Sequence, residues 1–326
     1  MQEETLQEVL EVIGHERRAF PYFRGRYALL LLSDFIGNGC RVSDVRRSHL
    51  RQLLEKPVVK DFLAGSGSWL TRDRIAGYWP STDEQYSVTF GQWGDASEYW
   101  DRGCDQTCRR GLNLVVQLNF SGRHDALFRT LQSQFGESDY NDSGHPVHKS
   151  GLLTLAWARI DFAEDFAEAL IEEVQSDWIE RATNDLRAYG ALRFERAGRS
   201  FVNWGRGRLQ VREILERYEQ ELRRHARLWQ EAVLAAAIEV IRSEFCCREV
   251  YYHTVDSNRH MKDFCKWFAP PRSVYTELPR RFCFEKVRRP PRFLARTADG
   301  FARYKLNRCR PAWHRLPLQG SPALSD

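Results

Sequence analysis

Hydrophobic and polar positions divide the chain into a helical first part and a mixed remainder. Apolar side chains recur at helical spacing over residues 5–18, and a more apolar helix is predicted for 22–36. Pro57 and Thr71 mark the starts of two further helical pieces. This pattern predicts a helical module over residues 1–80. A winged helix-turn-helix stays open as an alternative, although a basic, solvated face on a helical bundle is the favoured interpretation.

Strand patterns begin near residue 85 and alternate with helical ones to the end of the chain. Alternating or continuously apolar runs predict strands at 86–90, 111–120, 152–162, 169–174 and 248–254. Helical spacing predicts helices at 124–135, 178–189, 209–245 and 273–281. The sequence therefore predicts an α+β fold, with a second domain over 81–326 that carries a helical insert (178–245) and a basic tail (278–326).

Composition excludes two classes of protein. With 42% apolar residues, ten Trp and nineteen Phe, the chain has enough apolar material for a packed core, which excludes a disordered chain. No window of eighteen consecutive apolar residues is present, so no membrane span is expected. The acidic N-terminus lacks a signal-peptide pattern, and the eight Cys are then expected as free thiols in a cytoplasmic protein.

Positive charge is concentrated at the C-terminal end. Residues 246–326 hold 17 basic and 7 acidic side chains within a chain whose net charge is +5. Aromatic residues are interleaved with this charge, and arginines with aromatics are typical of nucleic-acid binding. A basic face packed on acidic N-terminal regions is the alternative. The candidate nucleic-acid-binding residues are Arg280, Arg281, Arg288, Arg289, Arg292, Arg308 and Arg310.

The segment 171–178 (IEEVQSDW) carries the strongest candidate chemistry. If it is a strand, Glu173, Gln175 and Asp177 share one face, and polar groups at a strand end often line a ligand crevice. A partly desolvated carboxylate there is suited to general base catalysis. Capping of the next helix and pairing with Arg159, Arg181 or Arg187 are the alternative. The candidate substrate-binding residues are Glu172, Gln175, His253 and Lys262.

A zinc site has weaker support. Cys104 and Cys108 form a Cys-x3-Cys pair, and His145 and His148 are the other ligand types that a closed site would need. Nothing in the sequence brings the two pairs together, so no metal is predicted.

The heptapeptide EEVQSDW resembles the EEIQSDW signature of domains in the large polyvalent proteins of phages and mobile elements. The resemblance extends over about residues 157–284, because the signature is followed by an insert, a Trp-led helix (WQEAVLAAAIEVI) and a strand (REVYYHT). It implies a role in phage and mobile-element conflict, in antiviral defence or in counter-defence.

The same stretch is similar to the C-terminal half of GNAT acyltransferases, in its order of strand, helix, strand, Asn-bearing turn and short helix. That similarity implies acetyl-CoA or another acyl-CoA as cofactor, with Asn258 near the pantetheine and Tyr275 as general acid. Glu173 or Asp177 would be the base. The GNAT pyrophosphate loop (R/Q-x-x-G-x-G/A) is replaced by a long insert, in which only Arg206 and Gly207 resemble it.

Two functions follow. The first is a GNAT-like group (acyl) transferase that acts on a nucleic acid or a nucleic-acid-bound target. The alternative is a catalytically inactive GNAT-like protein that binds nucleic acid or nucleoprotein through residues 280–315. A protein partner of the N-terminal module is compatible with either function.

Overall fold

A computed structural model shows a mixed α/β protein built around one large sheet. It describes residues 1–14, 16–80, 83–95, 106–135, 139–142, 144–148, 151–195, 208–245, 247–262 and 271–318. Arg206 and Gly207 of the candidate cofactor loop, and Cys104 of the weaker zinc hypothesis, lie outside the described residues.

Eight strands form the large sheet, in the order β1-β4-β5-β6-β7-β8-β10-β9. Its neighbours pair antiparallel except β7 and β8, which are parallel. The short strands β2 and β3 pair with each other separately. The strands are β1 (Arg18–Tyr22), β2 (Cys40–Arg41), β3 (Trp69–Leu70), β4 (Glu84–Asp95), β5 (Gly111–Asn119), β6 (Thr154–Phe162), β7 (Glu168–Gln175), β8 (Glu249–His253), β9 (Glu285–Val287) and β10 (Trp313–Pro317).

Helices connect these strands and cover both faces of the sheet. In chain order they are α1 (Glu3–Ile13), α2 (Arg26–Phe35), α3 (Val42–Arg47), α4 (Pro57–Ser66), α5 (Arg72–Ala76), α6 (Gly122–Phe135), α7 (Asp177–Glu195), α8 (Arg208–Phe245), α9 (Val255–Met261), α10 (Arg272–Arg281), α11 (Arg292–Ala295) and α12 (Gly300–Cys309). A 3-10 turn, Arg51–Glu55, lies between α3 and α4. The predicted α+β class agrees with this arrangement.

Side chains of the central strands alternate between two separate apolar cores. Ile171 and Tyr252 point into the larger core, which includes the apolar half of α8. Leu170 and Tyr251 point to the other face, where the C-terminal segment packs with Leu306 and other apolar side chains. Burial on both faces explains why β5 and β6 are buried along their whole length.

The N-terminal part contains three strands that the predicted all-helical module lacks: β1, and the paired β2 and β3. Residues 18–22 form strand β1, which pairs with β4 at one edge of the large sheet. Gly14 ends α1 before β1, and Gly25 precedes α2 after β1. Their φ angles are positive, 75° and 83°, which glycine adopts without strain. The predicted helix starts at Pro57 and Thr71 are confirmed, and the Thr71 side chain accepts a hydrogen bond from the Arg74 backbone.

No helix in the described part of the chain has an apolar stretch long enough to cross a membrane.

Candidate functional site

The parallel strands β7 and β8 separate within the segment 171–178, which carried the strongest candidate chemistry in the sequence. Pairing between β7 and β8 ends at Ile171 and Tyr252, while β7 continues to Gln175. Strand β8 stops because Thr254 caps α9, in a reciprocal capping box with Ser257 that turns the chain away. Glu172 and Glu173 are therefore the first β7 residues beyond the paired region.

Glu172 joins a buried cluster on the face of the sheet that carries the smaller core. Its carboxylate accepts a hydrogen bond from the Cys108 backbone N–H at 3.0 Å and lies 3.3 Å from His253 Nε2. The Cys108 Sγ also lies 3.3 Å from His253 Nε2. On the other side of the ring, His253 Nδ1 is 3.0 Å from Ser257 Oγ. Glu172, Cys108 and His253 are each 0% exposed. Sequence reasoning named Glu172 and His253 but missed their contact with Cys108, because the three residues are far apart in the chain.

Lys262 fills the gap that opens between β7 and β8. Its Nζ donates to the backbone carbonyl of Glu172, a group that β8 no longer pairs with. The ammonium also lies 3.5 Å from the Glu172 carboxylate and 4.0 Å from that of Glu173. Burial lowers the pKa of Lys262, and the two carboxylates oppose that shift. A buried cation thus takes the place of a neighbouring strand.

Glu173 pairs with Arg159 of β6, on the same face of the sheet as Glu172. Ala158 and Ile160 belong to the larger core, so Arg159 between them faces the other side, and the register shift between β6 and β7 places Glu173 opposite it. Arg159 also donates to the Gln106 carbonyl at 3.1 Å. The charge of this carboxylate also influences two buried tyrosines of the larger core. Burial, followed by Glu173, raises the pKa of both Tyr252 and Tyr275. The Tyr252 and Tyr275 rings stack at 5.6 Å, and neither hydroxyl has a hydrogen-bond partner among the described residues.

Asp177 lies apart from Glu173, at the start of α7. Its carboxylate is 2.8 Å from His145 Nδ1 and accepts a hydrogen bond from Gln175 Nε2 at 2.9 Å. The bond to Asp177 raises the pKa of His145, whose side chain is 33% exposed. Asp177 is therefore engaged by the HPVH loop. The weaker zinc hypothesis required His145 to lie close to Cys108. Among the described residues, no group of possible metal ligands contains both.

Charges within the Glu172 cluster balance one another. Burial alone would raise the pKa of Glu172, but the hydrogen bond with His253 and the Lys262 charge lower it well below its usual range. Burial lowers the pKa of His253 to about 4, so its ring is neutral at neutral pH. Burial and then the Glu172 charge raise the pKa of the Cys108 thiol. A thiol in this setting is not activated as a nucleophile.

Asn258 lies in α9, and its side chain is 5% exposed. Its Oδ1 has no hydrogen-bond partner among the described residues. Tyr275 is likewise buried, at 2% exposed.

A second feature, which we call the arginine cleft, is at the surface of the C-terminal segment. The cleft has a volume of about 370 Å³ and is lined by residues of α12 and of the turns beside it. Three exposed arginines border it: Arg288, Arg303 and Arg310. None of them forms an ion pair with a described residue. The buried Trp313 also lines the cleft, and its ring centroid lies 5.0 Å from that of the His253 ring.

Helix α12, which supplies Arg303 to the arginine cleft, also carries two exposed aromatic rings outside the cleft lining. Phe301 is 43% exposed and Tyr304 is 53% exposed, and their ring centroids are 6.5 Å apart. The Arg308 guanidinium lies over the Tyr304 ring at 5.8 Å and donates to its hydroxyl at 2.8 Å.

The predicted nucleic-acid-binding arginines divide into two groups. Arg281, Arg289 and Arg292 pair with carboxylates, at 3.8, 2.5 and 3.0 Å. Arg280, Arg288, Arg308 and Arg310 are exposed and form no ion pair within the described part of the chain. Sequence reasoning missed Arg303. Its spacing from Asn307 and Arg310 would have shown it, because steps of four and seven residues share one helix face.

Comparisons with known proteins give no match to a family model, to a curated protein or to a solved structure.

Proposed function

We propose that this protein binds nucleic acid through the arginine cleft and the exposed rings of α12. The observation that carries the proposal is the placement of Arg288, Arg303 and Arg310 around one cleft without a carboxylate partner from the described residues. An unneutralised cluster of this kind is complementary to a polyanion. From Lys286 to Leu318 the chain contains ten basic residues and one acid, Asp299. That acid is occupied in capping the N-terminus of α12.

Single-stranded nucleic acid is the form that suits this surface. Guanidinium groups bind phosphates in a bidentate manner, and bases of any sequence stack on aromatic rings. Phe301 and Tyr304 offer such rings at the surface, while double-stranded nucleic acid keeps its bases stacked inside the duplex. The arrangement supports recognition of the backbone and of unstacked bases more than of a defined sequence.

The scaffold is proposed to be GNAT-like. Support comes from the single parallel pair β7–β8 and from β10, which lies between β8 and β9. Lys262 lies in the gap between β7 and β8, which favours the binding protein over the transferase. A role in phage and mobile-element conflict belongs to the same proposal, and it depends on the EEVQSDW segment.

Acyl transfer is the second candidate, because one observation favours it. Glu173 and the buried Tyr275 interact near the point where β7 and β8 part, and the Tyr275 hydroxyl has no partner among the described residues. Acyl-CoA would have to displace Lys262 from the gap. A rise in melting temperature with acetyl-CoA, abolished by Tyr275→Phe, would support this candidate, since a ligand of the native state alone stabilises it. No rise in melting temperature would exclude it.

Fluorescence anisotropy with labelled single-stranded RNA and DNA tests the nucleic-acid proposal. The triple variant Arg288→Ala, Arg303→Ala, Arg310→Ala should lose most of the affinity. A matched control removes the same charge from three exposed arginines on other helices: Arg129, Arg187 and Arg217. An equal loss of affinity in both triple variants would show that binding depends only on the net charge of the protein. That result would contradict a defined binding surface.

A further inference from the structure

We propose that Cys108, Glu172 and His253 form a zinc-binding site that cross-links the strands where they part. One ligand atom from each residue (Sγ, a carboxylate oxygen and Nε2) lies within 4.8 Å of the other two. All three side chains are completely buried. The proposal is independent of nucleic-acid binding, because it concerns the inside of the sheet and not the arginine cleft.

The separations between ligand atoms suit tetrahedral zinc. With Zn–S of about 2.3 Å and Zn–N and Zn–O of about 2.0–2.2 Å, neighbouring ligand atoms stand about 3.3–3.6 Å apart. The distances from His253 Nε2 to Cys108 Sγ and to the Glu172 carboxylate are both 3.3 Å. A thiolate and an imidazole in one set favour zinc over magnesium or calcium, which prefer oxygen ligands.

Surrounding hydrogen bonds orient two of the ligands. Ser257 Oγ lies 3.0 Å from His253 Nδ1, so an Nδ1–H can donate to it and leave Nε2 free for a metal. The Cys108 backbone N–H fixes one carboxylate oxygen of Glu172 at 3.0 Å, and the other faces His253. Zinc would replace the Cys108 thiol proton, which is released to solvent.

Another His–Glu group in the described part of the chain lacks these properties. Glu84, Glu221 and His225 also lie close together, but Arg123 contacts both carboxylates, at 3.4 and 2.8 Å. Arg224 lies 3.7 Å from Glu84 and pairs with Glu221 as well. Two arginines already neutralise that group, and it contains no thiol. In the Cys108 cluster the cation is Lys262, which is shared with Glu173.

Zinc in this position would hold three segments that are distant in the sequence. Cys108 precedes β5, Glu172 belongs to β7 and His253 ends β8. A bond to each keeps the diverging ends of β7 and β8 together. The three residues occupy three of the four tetrahedral positions of zinc, and an enclosed water molecule would take the fourth.

Metal analysis of the full chain and cobalt substitution test the site. We expect about one zinc per chain as purified, and a thiolate-to-cobalt charge-transfer band when Co²⁺ is added to metal-free protein. Cys108→Ser should abolish that band, while Cys283→Ser, at another buried cysteine, should keep it. Ser257→Ala should weaken zinc binding by about 10–100-fold through the loss of ligand orientation.

The cobalt spectrum of the unmodified chain decides the question even if a variant does not fold. A chain that is purified without zinc and shows no charge-transfer band with Co²⁺ overturns the proposal. A band that persists in folded Cys108→Ser overturns the ligand assignment.

Discussion

Glu172 and Glu173 are neighbours in the chain, and a β-bulge brings both carboxylates to the face of the sheet that carries the smaller core. The register of β6 and β7 shifts at this point, so the regular alternation of side chains along the strand is broken. Glu172 contacts Cys108 and His253, and Glu173 pairs with Arg159. Lys262 lies 3.5 Å from the Glu172 carboxylate and 4.0 Å from that of Glu173. The two acids and the two buried cations therefore form one charge-balanced group.

Removing the Glu173 charge should strongly destabilise the fold. Glu173→Gln leaves Arg159 without its counter-ion at a position that is 1% exposed, and such a change lowers the free energy of unfolding by about 3–5 kcal/mol. Urea unfolding measures the change. The exposed Glu180→Gln should alter the free energy of unfolding by less than about 0.5 kcal/mol. A loss for Glu173→Gln no larger than for this control would show that the pair is unimportant.

His145 should make the stability depend on pH near neutrality. Its folded pKa is raised above 6.5 by Asp177, so the charged pair stabilises the fold fully below pH 6.5. That contribution is lost as the pH rises through the folded pKa. The melting temperature of His145→Gln should therefore fall further below that of the unmodified chain at low pH than at pH values above the folded pKa. A difference that grows with pH would contradict the pairing.

At the scale of elements, the sequence predicted the central strands and the long helices well. Strands β5 to β8 are continuously apolar or regularly alternating, and α8 carries a long helical pattern, so local sequence dominates there. Strand β1 was missed because only three of its residues, 19–21, lie between the two predicted helices, which is too short a run to show strand alternation. Helices α11 and α12 and strand β10 were missed because an arginine-rich sequence gives a weak apolar pattern.

The candidate site could be predicted only in part, for a related reason. The segment 171–178 identified Glu172 and Glu173, since acids directly after an apolar strand are unusual. The pairing of Glu173 with Arg159 confirms one of the arginine partners expected in the alternative interpretation. The contacts of Glu172 with Cys108 and His253 could not be predicted, because only the folded sheet brings these residues together. The predicted shared face of Glu173 and Asp177 ends where α7 begins, because the chain leaves the strand after Gln175.

Helix α12 should depend on its exposed rings for binding. Tyr304→Ala removes a stacking platform, and stacking contributes about 1–3 kcal/mol per base, so affinity for single-stranded RNA should fall about 5- to 150-fold. Tyr304→Phe keeps the ring and loses only the hydroxyl that Arg308 contacts, and it should bind nearly as the unmodified chain does. Equal affinities of both variants would exclude stacking at this residue. Anisotropy titrations measure all three affinities.

At the scale of the whole molecule, the buried His124 should make the protein sensitive to acid. Burial lowers the pKa of His124 to about 4, while an unfolded chain takes up this proton near pH 6.5. Stability should therefore fall as the pH drops from 6.5 towards 4, by up to about 1.4 kcal/mol per pH unit for this histidine. Urea unfolding across this range tests it, with His124→Gln expected to show a shallower decline. An unchanged slope would contradict the contribution of His124.

Charge at this scale is divided between a balanced interior and an unbalanced surface. The two adjacent buried acids of β7 are neutralised by Lys262, directly after α9, and by Arg159. In contrast, Arg288, Arg303 and Arg310 have no described carboxylate partner. The excess positive charge therefore lies where a polyanion can reach it.

The salt dependence of RNA binding tests this claim most directly. Binding of single-stranded RNA should weaken as salt rises, with log K falling by about 0.7 per phosphate contact for each unit of log salt concentration. The triple variant Arg288→Ala, Arg303→Ala, Arg310→Ala should reduce that slope by about 2, if each arginine contacts one phosphate. The control triple at Arg129, Arg187 and Arg217 should leave it unchanged. No RNA binding, or the same slope in both triple variants, would contradict the arginine cleft as the binding surface.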